Sequence, residues 1–197
     1  MRTSTLNLML LAAALGLSSC SIRSDAPAPR FLELDFSPPA AVTEAPAALP
    51  PANVSPAIIR LGGVDSAELL RLDLLHYTAA AEVSRDPLWR WTTPPATALR
   101  QRLELAASAQ GILVRDRADL PLVTATVLRF GILQTTTFTI EVLVHCRLAD
   151  GTERSQVITT TAPVDGNLPG TVPHVAATAL ATISTDVWAV VRMWCGS

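Results

Sequence analysis

The chain has 197 residues, 49% of them hydrophobic, and a formal net charge of −2. This length is enough for one domain with a full core and too short to expect two. All fifteen basic residues are arginine, and they form no broad basic field that would recruit nucleic acid. Composition and charge therefore predict a single-domain protein that binds no nucleic acid.

The first twenty residues predict export and attachment to a membrane. Arg2 is followed by an almost wholly apolar run over residues 6–17, and the run closes with Leu17-Ser18-Ser19-Cys20. These features are typical of a secretory signal, and the run is shorter than the about 20 apolar residues of a membrane span. The last four residues resemble a bacterial lipobox. This resemblance implies a signal peptide over residues 1–19 and the attachment of fatty acids such as palmitate to Cys20. The alternative is an ordinary secretory signal with an accidental cysteine.

The residue after the predicted anchor is Ser21 rather than aspartate. By resemblance to lipoproteins of Gram-negative bacteria, this favours the periplasmic face of the outer membrane over the inner membrane. Residues 20–29 are predicted to be a lipidated tether, and residues 30–195 a single domain. Within that domain, residues 37–56 hold six prolines and are predicted to be a Pro/Ala-rich loop, because proline removes backbone donors.

The first half of the predicted domain shows strand and turn signals and one clear helix. Leu32, Leu34 and Phe36 alternate with acidic residues, which predicts a half-buried strand over residues 30–36. Further predicted elements are a buried strand over residues 57–64 ending in a turn at Gly62-Gly63, a short helix from Asp65 or Ser66, a hairpin of residues 72–77 and 80–84, and a helix over residues 95–110 that Gly111 closes.

The second half predicts an antiparallel meander and a long helix. Residues 122–132, 136–148 and 152–162 are rich in Val, Ile, Thr and Phe, and Asp150-Gly151 is a strong hairpin signal. Strict alternation in the second of these strands predicts one buried sheet face. An apolar stripe over residues 172–194 predicts a helix packed across that face, since its embedded charges argue against a membrane span. The predicted fold class is α+β, an antiparallel or mixed β-sheet with two main amphipathic helices packed on one face.

Cys146 and Cys195 remain as an even pair once Cys20 is assigned to lipid. In an oxidising compartment such a pair could form a disulfide. A bridge between residues 49 positions apart would stabilise the fold by roughly 4 kcal/mol on the chain-entropy model. Cys146 is predicted on the buried sheet face, and Cys195 at the end of the helix that covers it. The alternative is two buried free thiols.

The sequence contains no recognised catalytic or metal-binding motif. It has no G-x-S-x-G, no H-E-x-x-H, no P-loop and no paired C-x-x-C. His76, His145 and His174 are predicted to be surface or capping histidines, because none lies near a serine or cysteine in a catalytic signature. We therefore expect a protein that is not an enzyme and that holds neither a metal nor a cofactor.

The run Trp89-Arg90-Trp91 is the most distinctive local feature of the chain. In an extended segment the two indoles lie on one face and Arg90 on the other. Exposed aromatic residues beside an arginine are typical of a partner interface, so Trp89, Arg90 and Trp91 are candidate interface residues. The alternative is structural, with one indole packed on the following helix and the other covering a rim. This alternative is favoured for Trp91, whereas Trp89 fits either reading.

Several motifs in a fixed order resemble the ABC-type transport auxiliary lipoproteins, the PqiC-like family. The resemblance covers roughly residues 30–194 and rests on the order of the motifs. The chain departs from the family at Thr78, Ser84 and Thr93, where the family often has an arginine, an aromatic residue and an acid. The matching motifs are the lipobox cysteine, Phe31-Leu32-Glu33-Leu34-Asp35-Phe36, Ile58-Ile59-Arg60-Leu61-Gly62-Gly63-Val64, Arg90-Trp91 before Pro94-Pro95 and a Leu-rich helix, Val127-Leu128-Arg129-Phe130-Gly131, and a helix ending in Trp194.

The resemblance implies a non-catalytic periplasmic subunit at the outer membrane. Such a subunit works beside an ABC permease, an ATPase and a substrate-binding MCE-domain protein that moves lipids or other hydrophobic molecules between membranes, and it could self-associate as a ring. A second hypothesis is a periplasmic lipid-binding carrier with a cavity lined by Phe138, Ile140, Val142 and Leu180. A third is a structural envelope lipoprotein with no transport role. A docking subunit should fill that cavity and expose a patch elsewhere.

Overall fold

The computed structural model describes residues 27–34, 57–67, 69–78, 82–165 and 170–195. The predicted signal peptide, Cys20, Phe36 and the Pro/Ala-rich segment lie outside these residues. In chain order the described elements are β1 Arg30–Leu32, β2 Ile58–Ser66, β3 Asp73–Tyr77, β4 Val83–Trp91, α1 Pro95–Ala109, β5 Leu113–Val114, β6 Leu122–Leu133, β7 Thr137–Arg147, β8 Glu153–Pro163 and α2 Val172–Cys195.

Strand β6 lies at the centre of one mixed sheet. On one side it pairs antiparallel with β7, which pairs antiparallel with β8. On its other side, β2 pairs in parallel with its first half and β3 with its last residues. The sheet then continues from β2 to β5, and from β3 through β4 to β1. The described strands therefore form one sheet that combines parallel and antiparallel pairs.

The three longest strands form the predicted meander, with bounds within one residue of those expected from the alternation. The hairpin between β7 and β8 turns at Asp150 and Gly151, and Gly151 has a φ of +85°, which glycine adopts without strain. Alternate side chains of β7 face the core and are 0% exposed, namely Phe138, Ile140, Val142, Val144 and Cys146.

Both helices cover the same face of this sheet. α2 lies across β7 and β8 and contacts α1, which lies against β2, β5 and β6. The indole N–H of Trp188 on α2 donates a hydrogen bond of 2.8 Å to the carbonyl oxygen of Leu103 on α1. α2 has the length and composition of a membrane span, but its apolar stripe is buried in the shared core. This arrangement confirms the predicted α+β class with two amphipathic helices on one face.

Strand β2 corrects two predictions. The sequence predicts a turn at Gly62-Gly63 and a short helix from Asp65 or Ser66, but β2 continues unbroken to Ser66. Its register shifts once at the glycines and then pairs with β6 again. This pairing satisfies the backbone groups of Asp65 and Ser66, and it outweighs their preference for a helix N-terminus.

The other departures lie in short or edge strands. β1 ends at Leu32 instead of residue 36, although Leu34 is buried as predicted. β4 extends to Trp91, well beyond the predicted end at residue 84, and β5 has no counterpart among the predicted elements. β1 pairs with β4, and β5 with β2, so each partner is distant in the chain. Local alternation of side chains carries no information about a distant partner.

Candidate interaction surface

Trp91 lies in the core. Its side chain is 0% exposed, and its ring meets Phe130 and Phe138 edge to face, with centroid separations of 5.1 and 6.1 Å. Aromatic pairs at these separations and angles contribute about 0.5–1.5 kcal/mol beyond the burial of their area. Burial therefore removes Trp91 from the candidate interface residues, because β4 turns this indole inward toward β6 and β7.

Trp89 is half-buried at the rim of the same core, where it stacks with Arg30. The parallel pairing of β1 with β4 sets Arg30 opposite Trp89 and Phe31 opposite Arg90. The guanidinium carbon of Arg30 lies 5.5 Å from the indole centroid, within the range of a cation–π contact. Arg30 and Phe31 could not be identified as neighbours of Trp89 from the sequence, because only the long-range strand pairing brings them together.

Arg90 lies on the outer face of the sheet, away from the two indoles. Its Nε lies 3.4 Å from Oδ1 of Asp73, whose other oxygen is 3.5 Å from Nε of Arg85. Because both guanidinium groups are largely exposed, these ion pairs contribute little to stability. The neighbouring Phe31 is 61% exposed. We call the following residues the β1–β4 patch: Arg30, Phe31, Trp89 and Arg90.

A polar cluster supports this patch where β4 bulges. Oδ1 of Asp86 accepts hydrogen bonds from the backbone N–H groups of Leu88 and Trp89, at 2.8 and 2.9 Å. Its Oδ2 lies 2.9 Å from Nε2 of His76. Burial alone would raise the pKa of Asp86, but the hydrogen bonds from Leu88, His76 and Trp89 together outweigh it and hold the pKa below 3.8. Asp86 thus fixes the backbone that carries Trp89.

We expect Asp86→Asn to reduce the acid sensitivity of the fold. Because the pKa of Asp86 is lowered on folding, the folded state binds fewer protons than the unfolded chain. The stability that this carboxylate contributes is complete above its ordinary pKa of 3.8 and is lost as the pH falls through the lower folded value. Asparagine keeps an acceptor for the two backbone N–H groups but cannot ionise. Urea unfolding should show that the variant is less stable than the wild type at neutral pH. The difference between their free energies of unfolding should shrink below about pH 4. A difference that stays constant with pH would contradict this account.

The space between α2 and β7, where a carrier would hold an acyl chain, is filled. Four residues that would line such a cavity are 0% exposed in one continuous core: Phe138, Ile140, Val142 and Leu180. A groove on the opposite face of the sheet, of about 170 Å³, is lined by other side chains, Tyr77 and Arg129 among them. The carrier's expected cavity is therefore occupied by protein.

The three histidines lie apart from one another. His76 pairs with Asp86, and Nε2 of His145 lies 3.9 Å from Glu153 across the β7–β8 pair. His174 is exposed near the start of α2. Within the described ranges, no three His, Cys, Asp or Glu side chains form a group that could hold a metal ion. The absence of catalysis, metal and cofactor stays a prediction.

The two cysteines of the predicted domain lie together. Cys146 is buried on the inner face of β7, one residue from the end of that strand. Cys195 is half-buried as the last residue of α2 and lies close enough to Cys146 for each thiol to perturb the pKa of the other. Both thiols are free in this structure.

Comparison with known proteins identifies the fold. No family model and no curated protein matches the chain. The crystal structure of an uncharacterized protein superposes with a TM-score of 0.60 at 16% identity, over 68% of this chain and 92% of the other. Protein XCC0632 from Xanthomonas campestris, of family DUF330, superposes with a TM-score of 0.59 at 19% identity, over 71% and 86%. A minor lipoprotein from Acinetobacter baumannii is more distant, with a TM-score of 0.37 at 9% identity over 50% and 86%. The chain therefore has the fold of XCC0632 and of the uncharacterized protein.

Proposed function

We propose that this chain is a non-catalytic, lipid-anchored subunit of an ABC/MCE-type transport system that moves lipids or other hydrophobic molecules between envelope membranes. Its place is the periplasmic face of the outer membrane, where it docks an MCE-domain protein served by an ABC permease and ATPase. The lipobox-like run before Cys20 and the PqiC-like order of motifs support this proposal.

The filled core is the observation that favours docking over carrying. A lipid carrier needs an apolar cavity for its ligand. Here the four residues that would line such a cavity, on β7 and α2, are fully buried in the continuous core. Exposing side chains of this size costs about 1.5–3 kcal/mol each, or roughly 6–12 kcal/mol for all four. That cost is comparable to the about 5–15 kcal/mol that holds a whole domain together. Opening this space is therefore close to unfolding the domain.

The β1–β4 patch is the surface that we assign to docking. It lies around the edge that β1 forms, with the exposed Phe31 and Arg90 on the outer face of the sheet and the half-buried Trp89, stacked with Arg30, on the inner face. Tryptophan and arginine are enriched among the residues that dominate binding energy at interfaces. Arg30 follows Cys20 by ten residues, a tether that reaches at most about 36 Å. The patch therefore stays near the membrane to which the lipid is attached.

The first test is recovery of partners from native membranes after mild crosslinking, with mass spectrometry of the captured proteins. A Cys20→Ser chain serves as the control, because it cannot be lipidated. We expect the wild type to recover an MCE-domain protein and an ABC ATPase, and the control to lose them. Recovery of lipid without these proteins would favour the carrier and overturn the transport proposal.

We expect Phe31→Glu to abolish recovery of the MCE-domain protein while leaving the fold intact. Phe31 is 61% exposed, so a charge there costs little in the free chain and most in a desolvated interface. The matched control is Leu105→Glu on α1, where the replaced side chain is 56% exposed. Thermal unfolding checks that both variants fold. Equal recovery by both variants would exclude the β1–β4 patch as the docking surface.

A further inference from the structure

Cys146 and Cys195 meet because two elements of similar length end at the same end of the domain. β7 has eleven residues and α2 has twenty-four, so each spans roughly 36 Å. Cys146 is next to last in β7 and Cys195 is last in α2. Because α2 lies across the inner face of β7, the end of the helix places Cys195 over Cys146. The two thiols are close enough for each to perturb the pKa of the other.

We propose that Cys146 and Cys195 form a disulfide in the exported protein, which ties the end of α2 to the sheet. The inference rests on the export that is part of the proposed function, since only an oxidising compartment retains such a bridge. It does not depend on the transport role. In forming the bridge, the two thiols lose two protons and two electrons. These reduce one disulfide of a thiol–disulfide oxidant of that compartment to two thiols.

The surroundings of the pair favour a structural bridge over a reactive one. Cys146 is 0% exposed. Burial, together with the nearby Cys195, raises the pKa of Cys146 to about 12, and burial also raises the pKa of Cys195. The thiolate is the attacking species in disulfide exchange, so the folded, reduced pair reacts slowly. Cys195 is the more accessible of the two and would attack the oxidant's disulfide first, which forms a mixed disulfide. The thiolate of Cys146 would then attack the sulfur of Cys195 and release the oxidant as a thiol.

The bridge is separable from the docking surface. Cys146 pairs across the sheet with Val123 at the start of β6, whereas β3 joins the other end of that strand. The β1–β4 patch is attached through β3 and lies at that other end. Loss of the bridge is therefore expected to leave partner recovery unchanged, so failure of this inference and failure of the proposed function give different results.

The test begins with the wild-type chain extracted from its own membranes, with free thiols alkylated during lysis and peptides analysed by mass spectrometry. We expect a linked peptide pair containing Cys146 and Cys195, with neither residue alkylated. A lipidated chain in which both residues are alkylated would overturn the bridge and leave membrane anchoring intact.

Thermal unfolding then separates a bridge from two adjacent free thiols. On a mature chain with Cys20→Ser, we expect Cys195→Ala to lower the Tm by roughly 10 °C. Adding Cys146→Ala to this variant should lower the Tm only slightly further, because the bridge is already lost. Two independent substitutions would instead lower the Tm by the sum of their separate effects. Dithiothreitol should lower the Tm of the parent chain but not of the variants. If Cys195→Ala and the reductant both leave the Tm unchanged, the pair is not bridged.

Discussion

Replacing Trp91 with alanine is expected to lower the free energy of unfolding by about 3–5 kcal/mol, a large part of the about 5–15 kcal/mol available to a typical domain. The side chain is 0% exposed and stands edge to face with Phe130 and Phe138. Removing it leaves a cavity on the inner face of the sheet, beside β6 and β7, and it breaks both aromatic contacts at once. Urea unfolding of the full mature chain, followed by circular dichroism, measures the loss.

Two matched variants show whether the position or the residue type is responsible. Trp89→Ala removes the same side chain from a half-buried rim site that holds one cation–π contact with Arg30, so we expect a clearly smaller loss. Trp91→Phe keeps an aromatic ring and removes an indole N–H that has no acceptor among the described residues, so it should also be milder than Trp91→Ala. If Trp89→Ala costs as much as Trp91→Ala, the assignment of Trp91 to the core and Trp89 to the rim is wrong.

Local periodicity predicted the meander and both helices because their information is contained within each segment. The inward residues of β7 follow strict alternation, and the turn at Asp150 and Gly151 sets the register of β8. The stripe along α2 likewise shows one face that must be covered. These elements could be assigned without knowledge of any distant partner.

The strand pairing in the parallel half of the sheet could not be predicted in this way, although the sequence indicated a strand at β1 and at β2 and the hairpin of β3 and β4. β1 is three residues long and gains its place from pairing with Trp89 to Trp91, far along the chain. The Asp65-Ser66 segment has a helix-start signal, which loses to a strand pairing with β6 that only the folded chain provides. For the same reason, the sequence singled out the tryptophan run but not its neighbours. Arg30, Phe31 and Asp73 come next to Trp89 and Arg90 only through strand pairing in the folded chain.

The approach of β3 to β6 leads to the second large expected effect, at Gly131. In the parallel pair, Leu75 stands opposite Gly131. A Cβ atom at Gly131 would overlap the backbone carbonyl oxygen of Leu75 and lie 3.0 Å from Cε2 of Tyr77. A flexible side chain could move aside, but the backbone of a paired strand cannot do so without losing its hydrogen bonds. Glycine is therefore required here for close approach and not for an unusual φ.

We expect Gly131→Ala to destabilise the fold by about 3 kcal/mol, the upper end of what overpacking usually costs. The added methyl group would force β3 away from β6, and β3 carries β4, β1 and hence the β1–β4 patch. Urea unfolding measures the loss of stability. The rate of amide hydrogen exchange should rise most in β3 and β4.

The matched control is Gly63→Ala in β2. There the nearest atom to an added Cβ is Oδ2 of Asp65, at 3.1 Å, on a side chain that can rotate away. We expect a loss below about 1 kcal/mol, within the range of small backbone and surface effects. Equal losses at both glycines would mean that general strand propensity sets the cost. A large loss at Gly131 alone would instead show that the close approach of Leu75 to Gly131 is required for β3, and with it β4 and β1, to pair with the meander.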